Sequence, residues 1–350
     1  MATLRQQLNE LIDKLSPNME KAFLEAIADI KSEIVLKEVV ERLERRDIAG
    51  AIEALHIDPA AFRPLSEAIR QAFNSGGVLT TGRMPRLTDP MGGRVVFRWD
   101  ASNQAAETII RTMSSTMVTN VMEGTVEAVR ETIVSGYSQG QGPNTIALDL
   151  VGRKSAITGK REGGVIGLNG PQAELIERTR INLLSGDPAL MRKYLGLKTR
   201  DKRLDGAVRR AITAGKPLDK ATLDKVLMRL RDRNLKLRGE MIARTETVSS
   251  VMSAKHEAFL QALAKSNRDA SLVTRKWRSA GDRRVRHTHV ILNGQEVRGM
   301  DLAFQSSSGA MLRYPGDTTL GAGPGEIIAC RCDVEYNFDF AEAFARSRGR

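Results

Sequence analysis

The stretch LDKATLDKVLMRLRDRNLKLRGEMIARTETVSSVMSAKHEAFLQALA, residues 218–264, carries the strongest helical pattern in the chain. Its apolar residues recur at spacings of three, four and seven, which places one set of them on a single face of an α-helix: Leu223, Leu227, Leu230, Leu237 and Met241. The turn formers Gly215 and Pro217 lie directly before it. The stretch therefore predicts a long helix, with a break or bend near Arg238-Gly239.

The chain on the N-terminal side of this stretch also has mainly helical patterns. Short helices are predicted over residues 1–99, where glycines at 76, 77 and 82 and the prolines after them mark a boundary. A longer helix is predicted over 102–135, followed by a glycine-rich segment at 136–170 and by further helices from Pro171. We therefore divide the chain into regions 1–99, 100–217 and 218–350.

The chain after Asn267 has the alternation of short strands and turns. Residues 271–279 alternate, with Val273 and Trp277 on one side, and residues 330–337 alternate in the same way. Residues 289–292 followed by Asn293-Gly294 predict a β-hairpin, since both turn positions favour positive φ. The predicted fold class is mainly α, with a helical N-terminal body and a small α+β C-terminal module.

The positive charge of the chain is concentrated in one segment. The protein has 54 Lys and Arg against 42 Asp and Glu, a net charge of +12, and residues 192–238 contain 16 of the basic residues against five acidic ones. Concentrated positive charge attracts a polyanion, so the segment predicts phosphate contacts with double-stranded DNA without sequence preference. A solvated helix face is the alternative. The candidate DNA contacts are Arg192, Lys193, Arg200, Lys202, Arg203, Arg209, Arg210, Arg229, Arg231 and Arg233.

Other classes of protein are excluded by composition. No stretch reaches the roughly 18 apolar residues of a membrane span. The two cysteines, Cys330 and Cys332, are too close in sequence for an unstrained bridge and exclude a disulfide framework, which suits assembly in a reducing cytoplasm.

Two strings that resemble catalytic motifs lack the context that their chemistry needs. Gly159-Lys160 has no glycine at the phosphate-loop spacing before it, and Arg161 replaces the hydroxyl residue that binds magnesium. The string Gly136-Tyr-Ser138-Gln-Gly140 matches a serine nucleophile elbow, but a helical pattern precedes it where a strand is required. We therefore expect no enzymatic activity.

The order of features in the last third of the chain resembles the phage head morphogenesis family, the minor head proteins similar to protein F of phage Mu. The matching positions follow one another from the long helix to a Cys-Arg-Cys triplet: Arg244, Glu246, Trp277, Asp282, Arg286, His289, Gly294, Asp317, Cys330 and Cys332. One departure is Ala329, where the family pattern has Asn before the triplet.

The resemblance implies a minor capsid protein of a tailed phage that aids head assembly or DNA delivery. The implied location is the capsid interior near the portal vertex, after assembly in the host cytoplasm. The implied partners are the portal protein, other capsid proteins and packaged DNA, with several copies per virion. The alternatives are a sequence-indifferent nucleic-acid-binding module and a metal-dependent nuclease that uses Asp282, His287 and His289.

The two cysteines allow two interpretations. They are two small side chains in a core, with no cofactor, or they are zinc ligands together with His289 and a fourth ligand from Asp317 or Asp282. We also expect Glu246 to pair with a buried arginine such as Arg286.

Overall fold

The structure is a computed structural model that describes residues 2–348, and its fold is mainly α, as predicted. The described residues form thirteen α-helices: α1 (Leu4–Glu33), α2 (Leu36–Glu44), α3 (Ile48–Glu53), α4 (Arg63–Arg83), α5 (Gln104–Ser138), α6 (Pro143–Val151), α7 (Gly170–Leu184), α8 (Pro188–Leu195), α9 (Asp205–Ala214), α10 (Lys220–Lys265), α11 (His287–Leu292), α12 (Pro324–Ile327) and α13 (Phe340–Arg348). Within the described chain, no helix combines the length and the apolar character needed to cross a membrane.

The described residues also form seven short strands: β1 (Arg153–Lys154), β2 (Arg161–Glu162), β3 (Val273–Arg278), β4 (Glu296–Arg298), β5 (Phe304–Gln305), β6 (Met311–Leu312) and β7 (Asp333–Phe338). All pairs are antiparallel: β1 with β2, β5 with β6, and a three-stranded sheet in the order β4-β3-β7. The strands predicted near 271–279 and 330–337 are confirmed as β3 and β7.

The chain divides into two compact units, each built from separated segments. Unit 1 takes its described residues from 1–20, 65–115 and 240–350, and unit 2 takes them from 21–64 and 116–239. The division into three regions stays a prediction. It is based on glycine- and proline-rich breaks in the sequence, whereas the two units are defined by compactness.

Unit 1 contains the predicted α+β module and its core. In the sheet, Trp277 of β3 lies opposite Val334 of β7 and is fully buried. Apolar residues from the second half of α10 and from the β-rich segment pack around the indole: Phe259, Leu263, Leu292, Met300, Phe304, Cys330 and Cys332. This core brings the two cysteines next to α11.

The glycines at 76 and 77 do not end a helix, although α4 ends soon after them, at Arg83. Both lie inside α4, and both face a close neighbour. A Cβ on Gly76 would lie 3.0 Å from Cα of Val251, and one on Gly77 would lie 2.3 Å from the Trp99 indole. The glycines therefore allow close packing, although glycine lowers helix propensity.

Helix α10 continues through residues 238 and 239, so the predicted break is wrong. The guanidinium of Arg238 is buried and donates a hydrogen bond of 2.9 Å to the carbonyl of Gly167 in unit 2. Helix packing around this buried contact outweighs the roughly 1 kcal/mol that a glycine costs a helix.

The predicted hairpin at 289–294 is also wrong, because residues 287–292 form α11. His289 and Leu292 are both buried at a helical spacing of three, and Asn293 has a φ of −60°, outside the region that the predicted turn requires. Only Gly294 has a positive φ, +88°, and its N–H donates to the carbonyl of Trp277.

Candidate metal centre and basic surface

His289, Cys330 and Cys332 form a compact cluster of possible metal ligands in unit 1. All three are buried, and their ligand atoms lie within 4.8 Å of one another. Sγ of Cys330 and Sγ of Cys332 each lie 3.4 Å from Nδ1 of His289. The sequence placed these residues 41 and 43 positions apart, and the fold brings them together as the zinc interpretation requires.

Glu326 of α12 holds the other side of the His289 ring. One carboxylate oxygen lies 2.8 Å from Nε2 of His289 and accepts a 3.1 Å hydrogen bond from Thr288. The other oxygen accepts a 2.7 Å hydrogen bond from Ser308. Burial opposes ionisation of Glu326, but the hydrogen bonds and the neighbouring imidazole outweigh it and lower the pKa of the carboxyl. A carboxylate at this position favours a proton on Nε2, which leaves the Nδ1 lone pair facing the two sulfurs.

The two thiols do not share the same tendency to ionise. The hydrogen bond from Cys332 lowers the pKa of Cys330 far below its ordinary value, with a further contribution from His289, although burial opposes this. The same contact and burial raise the pKa of Cys332. The two thiols therefore ionise as one coupled pair, in which the contact between them favours a single negative charge.

The chain around Cys330 is fixed by contacts from two other segments. Ala329 has a φ of +50°, and its N–H donates a 3.0 Å hydrogen bond to Oγ1 of Thr245 on α10. The Arg286 guanidinium donates to the carbonyls of Gly325 and Ile328. These contacts orient the turn that ends α12 and presents the cysteines.

Neither carboxylate predicted as a fourth zinc ligand lies in the cluster. Asp282 accepts hydrogen bonds of 2.5 and 2.6 Å from Arg331, and Asp317 accepts bonds of about 3 Å from Arg313 and Thr319. Both aspartates hold loops. The metal set of a nuclease is not assembled either, because His287 is exposed while His289 is buried.

The remaining motif residues contact other side chains and backbone groups of the fold. Arg244 forms a 3.1 Å ion pair with Asp13, and the Trp277 ring contacts the His289 imidazole edge-on at 5.2 Å between centroids. Glu246 does not pair with Arg286, which corrects that expectation, because the Arg286 guanidinium is directed at the carbonyls before Cys330. Burial raises the pKa of Glu246 to about 7.

The basic segment lies in unit 2, on α8, α9, the first half of α10 and the loops that join these helices. Within residues 192–238, one acidic residue, Asp219, is exposed, whereas twelve basic residues are: Arg192, Lys193, Lys198, Lys202, Arg203, Arg209, Arg210, Lys216, Lys220, Lys225, Arg233 and Lys236. The exposed surface of the segment is therefore more one-sided than its sequence. Five of the predicted DNA contacts form ion pairs with carboxylates of the same unit.

Arg231 is the predicted DNA contact that the structure contradicts. Its side chain is 2% exposed and lies between Asp149, at 2.8 Å, and Glu177, at 3.5 Å. The other four are ion-paired at or near the surface: Arg200 with Asp205, Arg203 and Arg233 with Asp201, and Arg229 with Glu162. By contrast, Arg192, Lys193, Lys202, Arg209 and Arg210 form no ion pair within residues 2–348.

Sequence reasoning missed two features. The first is a buried ionic quartet in unit 2, in which Arg180 joins Arg231, Asp149 and Glu177. Burial opposes ionisation of Asp149, but the two arginines outweigh it and lower its pKa. Its one sequence signal is a charge inside an otherwise apolar run, at Asp149 in α6.

The second missed feature is Glu326. It lies in a Gly-Pro-Gly-Glu turn four residues before Cys330. The spacing of that turn gives no indication that its carboxylate meets His289, which is 37 residues away in sequence.

Comparison with known proteins supports the resemblance given by the motifs. Residues 202–335, which are 134 of the chain's 350, match the family described as Phage Mu protein F like protein. The matched range contains the metal-ligand cluster and nine of the twelve exposed basic residues of segment 192–238. No curated protein and no solved structure matches the chain significantly.

Proposed function

We propose, from the similarity of residues 202–335 to the Phage Mu protein F like proteins, that this chain is a minor head protein of a tailed phage. It lies inside the capsid near the portal vertex, contacts the portal and other capsid proteins, and aids head assembly or DNA delivery. The family match is the observation that carries the proposal. The basic surface supports it, because an internal capsid protein is surrounded by packaged DNA.

Particle composition tests the virion role. The tagged chain is expressed from the phage genome that encodes it, and gradient-purified procapsids and mature heads are analysed by mass spectrometry. We expect the chain in both particles at a fixed ratio to the portal protein. A cryo-EM reconstruction of the vertex locates it. Purified heads that lack the chain, together with normal head assembly after its deletion, would contradict the proposal.

DNA binding through the basic segment gives a second test. If four phosphates are neutralised, the slope of log affinity against log salt is about −3.6 on double-stranded DNA. The measurement is fluorescence anisotropy with two duplexes of unrelated sequence. We expect similar affinities for the two duplexes and similar slopes. A salt-independent affinity, or a strong preference for one duplex, would show that this part of the proposal is wrong.

Charge reversal locates the contact. The variant replaces four exposed residues that have no ion pair in the described chain, Arg192, Lys193, Arg209 and Arg210, by glutamate. We expect it to weaken binding to both duplexes by at least tenfold. The matched control reverses four exposed basic residues outside the segment, Lys14, Arg45, Arg111 and Arg130. An equal loss in both variants would mean that net charge alone attracts the DNA.

The role that we propose is structural and not enzymatic. A nuclease would need the carboxylate of Asp282 free to bind a metal, whereas both of its oxygens accept hydrogen bonds from Arg331. A plasmid-nicking assay with magnesium or manganese tests this, and cleavage that depends on Asp282 would support the nuclease instead.

A further inference from the structure

We propose that His289, Cys330 and Cys332 bind one zinc ion, with a solvent molecule as the fourth ligand. The geometry, the surroundings and the chemistry of these three side chains all favour this assignment. It is independent of the role of the protein in the virion.

The three donor atoms lie close enough together for a zinc site, and both sulfur–nitrogen separations match one. With Zn–S near 2.3 Å and Zn–N near 2.05 Å, tetrahedral angles give an S···N separation of about 3.5 Å and an S···S separation of about 3.8 Å. Both observed S···N distances are 3.4 Å, and all ligand atoms lie within 4.8 Å of one another. The two S···N separations therefore match a zinc site to within about 0.1 Å, and the S···S separation differs from the tetrahedral value by at most about 1 Å.

The surroundings of His289 are those of a metal ligand. Histidines that bind zinc commonly donate their second ring N–H to a carboxylate, which fixes the tautomer and the ring orientation. Glu326 lies 2.8 Å from Nε2 on the side of the ring opposite the sulfurs. The carboxylate is itself held by Thr288 and Ser308, so the ring has a defined direction before any ion binds.

The donor set and its burial select zinc over harder ions. Thiolate and imidazole suit zinc, whereas magnesium and calcium prefer oxygen ligands. One zinc ion with two thiolates and a neutral imidazole has no net charge, which suits side chains that are all at most 3% exposed. The zinc would tie α11 to the turn before β7 and stabilise the fold of the module.

The fourth ligand does not come from the carboxylates that the sequence suggested. Asp282 and Asp317 are held by Arg331 and Arg313, and within residues 2–348 the metal-ligand cluster has three members. A bound solvent molecule therefore completes the tetrahedron.

The test begins with the full-length chain, purified under reducing conditions through a tag without histidines. We expect about one zinc per chain by elemental analysis, and X-ray absorption should show two sulfur and two nitrogen or oxygen ligands. Removal of the metal by a chelator should lower the melting temperature, and added zinc should restore it. Purified chain with no stoichiometric zinc, and no uptake of zinc or cobalt(II) on titration, would overturn the proposal. Four sulfur ligands would do so as well.

Variants separate metal binding from packing. Cys330→Ser, Cys332→Ser and His289→Ala should each lose the zinc, and His287→Ala, at an exposed histidine two residues away, should keep it. Glu326→Gln retains all three ligands and should weaken zinc binding by about 10- to 100-fold, so that the proposal is still testable if a ligand variant does not fold. Unchanged zinc affinity in Glu326→Gln together with retained zinc in the cysteine variants would assign the metal to another site.

Discussion

Ala329 shows how one residue can carry backbone strain next to a site. Its φ is +50°, a region in which an L-residue with a Cβ is disfavoured by roughly 1–2 kcal/mol, whereas asparagine tolerates it better. The family resemblance predicts asparagine at this position, and a positive φ favours that residue over alanine. We predict that Ala329→Asn raises the free energy of unfolding by about 0.5–1 kcal/mol, as measured by urea denaturation.

Asn267 allows the reverse substitution as a control, since it has a similar φ of +49° and is exposed. Asn267→Ala should lower the free energy of unfolding by a similar amount. Destabilisation by both substitutions would contradict the prediction. It would show that local side-chain contacts, and not backbone strain, determine the stability effect at Ala329.

At the scale of elements, three helices of unit 2 meet through the buried quartet. Asp149 comes from α6, Glu177 and Arg180 from α7, and Arg231 from α10. Removal of one partner leaves a buried charge uncompensated, which typically costs 3–5 kcal/mol. We predict that Arg231→Met lowers the free energy of unfolding by about 3–5 kcal/mol, measured by chemical denaturation.

The control lies on the same helix. Lys225 is exposed and Lys225→Met should change stability by less than about 0.5 kcal/mol. Because Arg231 is buried, Arg231→Met should change the free energy of unfolding and not the contact with DNA. Equal stability of the two variants would mean that the quartet contributes little.

At the scale of the whole molecule, the stability of the chain should depend on pH through Glu246. Burial raises its pKa to about 7 in the folded protein, whereas an unfolded glutamate titrates near 4.3. Between these values the folded state holds a proton that the unfolded state has lost. The free energy of unfolding therefore falls as pH rises from about 4.3 to 7, by up to about 4 kcal/mol.

Glu246→Gln removes this dependence. The free energy of unfolding of the variant, minus that of the unsubstituted protein, should be larger at pH 8 than at pH 5. Denaturant titration of both proteins at both pH values measures this difference. Glu123→Gln, at an exposed position, serves as the control and should show no such difference. An identical effect of Glu246→Gln at both pH values would show that the carboxyl titrates normally.

Features that depend on short-range patterns could be predicted from the amino-acid sequence. The apolar spacing in 218–264 predicted α10, and the alternation around Trp277 predicted β3, because helix and strand periods are written in neighbouring residues. The motif order gave the resemblance that the match over 202–335 confirms. The three central zinc candidates were also identified from residue type alone.

Residues of the same type differ in burial and in ion pairing, and these differences become visible in the folded chain. Arg231 and Arg233 belong to one basic run, yet one lies inside a buried quartet and the other is exposed. His289 meets Glu326 and not either predicted aspartate, and Gly76 and Gly77 lie inside a helix because neighbours approach them closely. Local sequence fixes periodicity, whereas burial and ion pairing depend on residues far apart in the chain, which packing alone brings together.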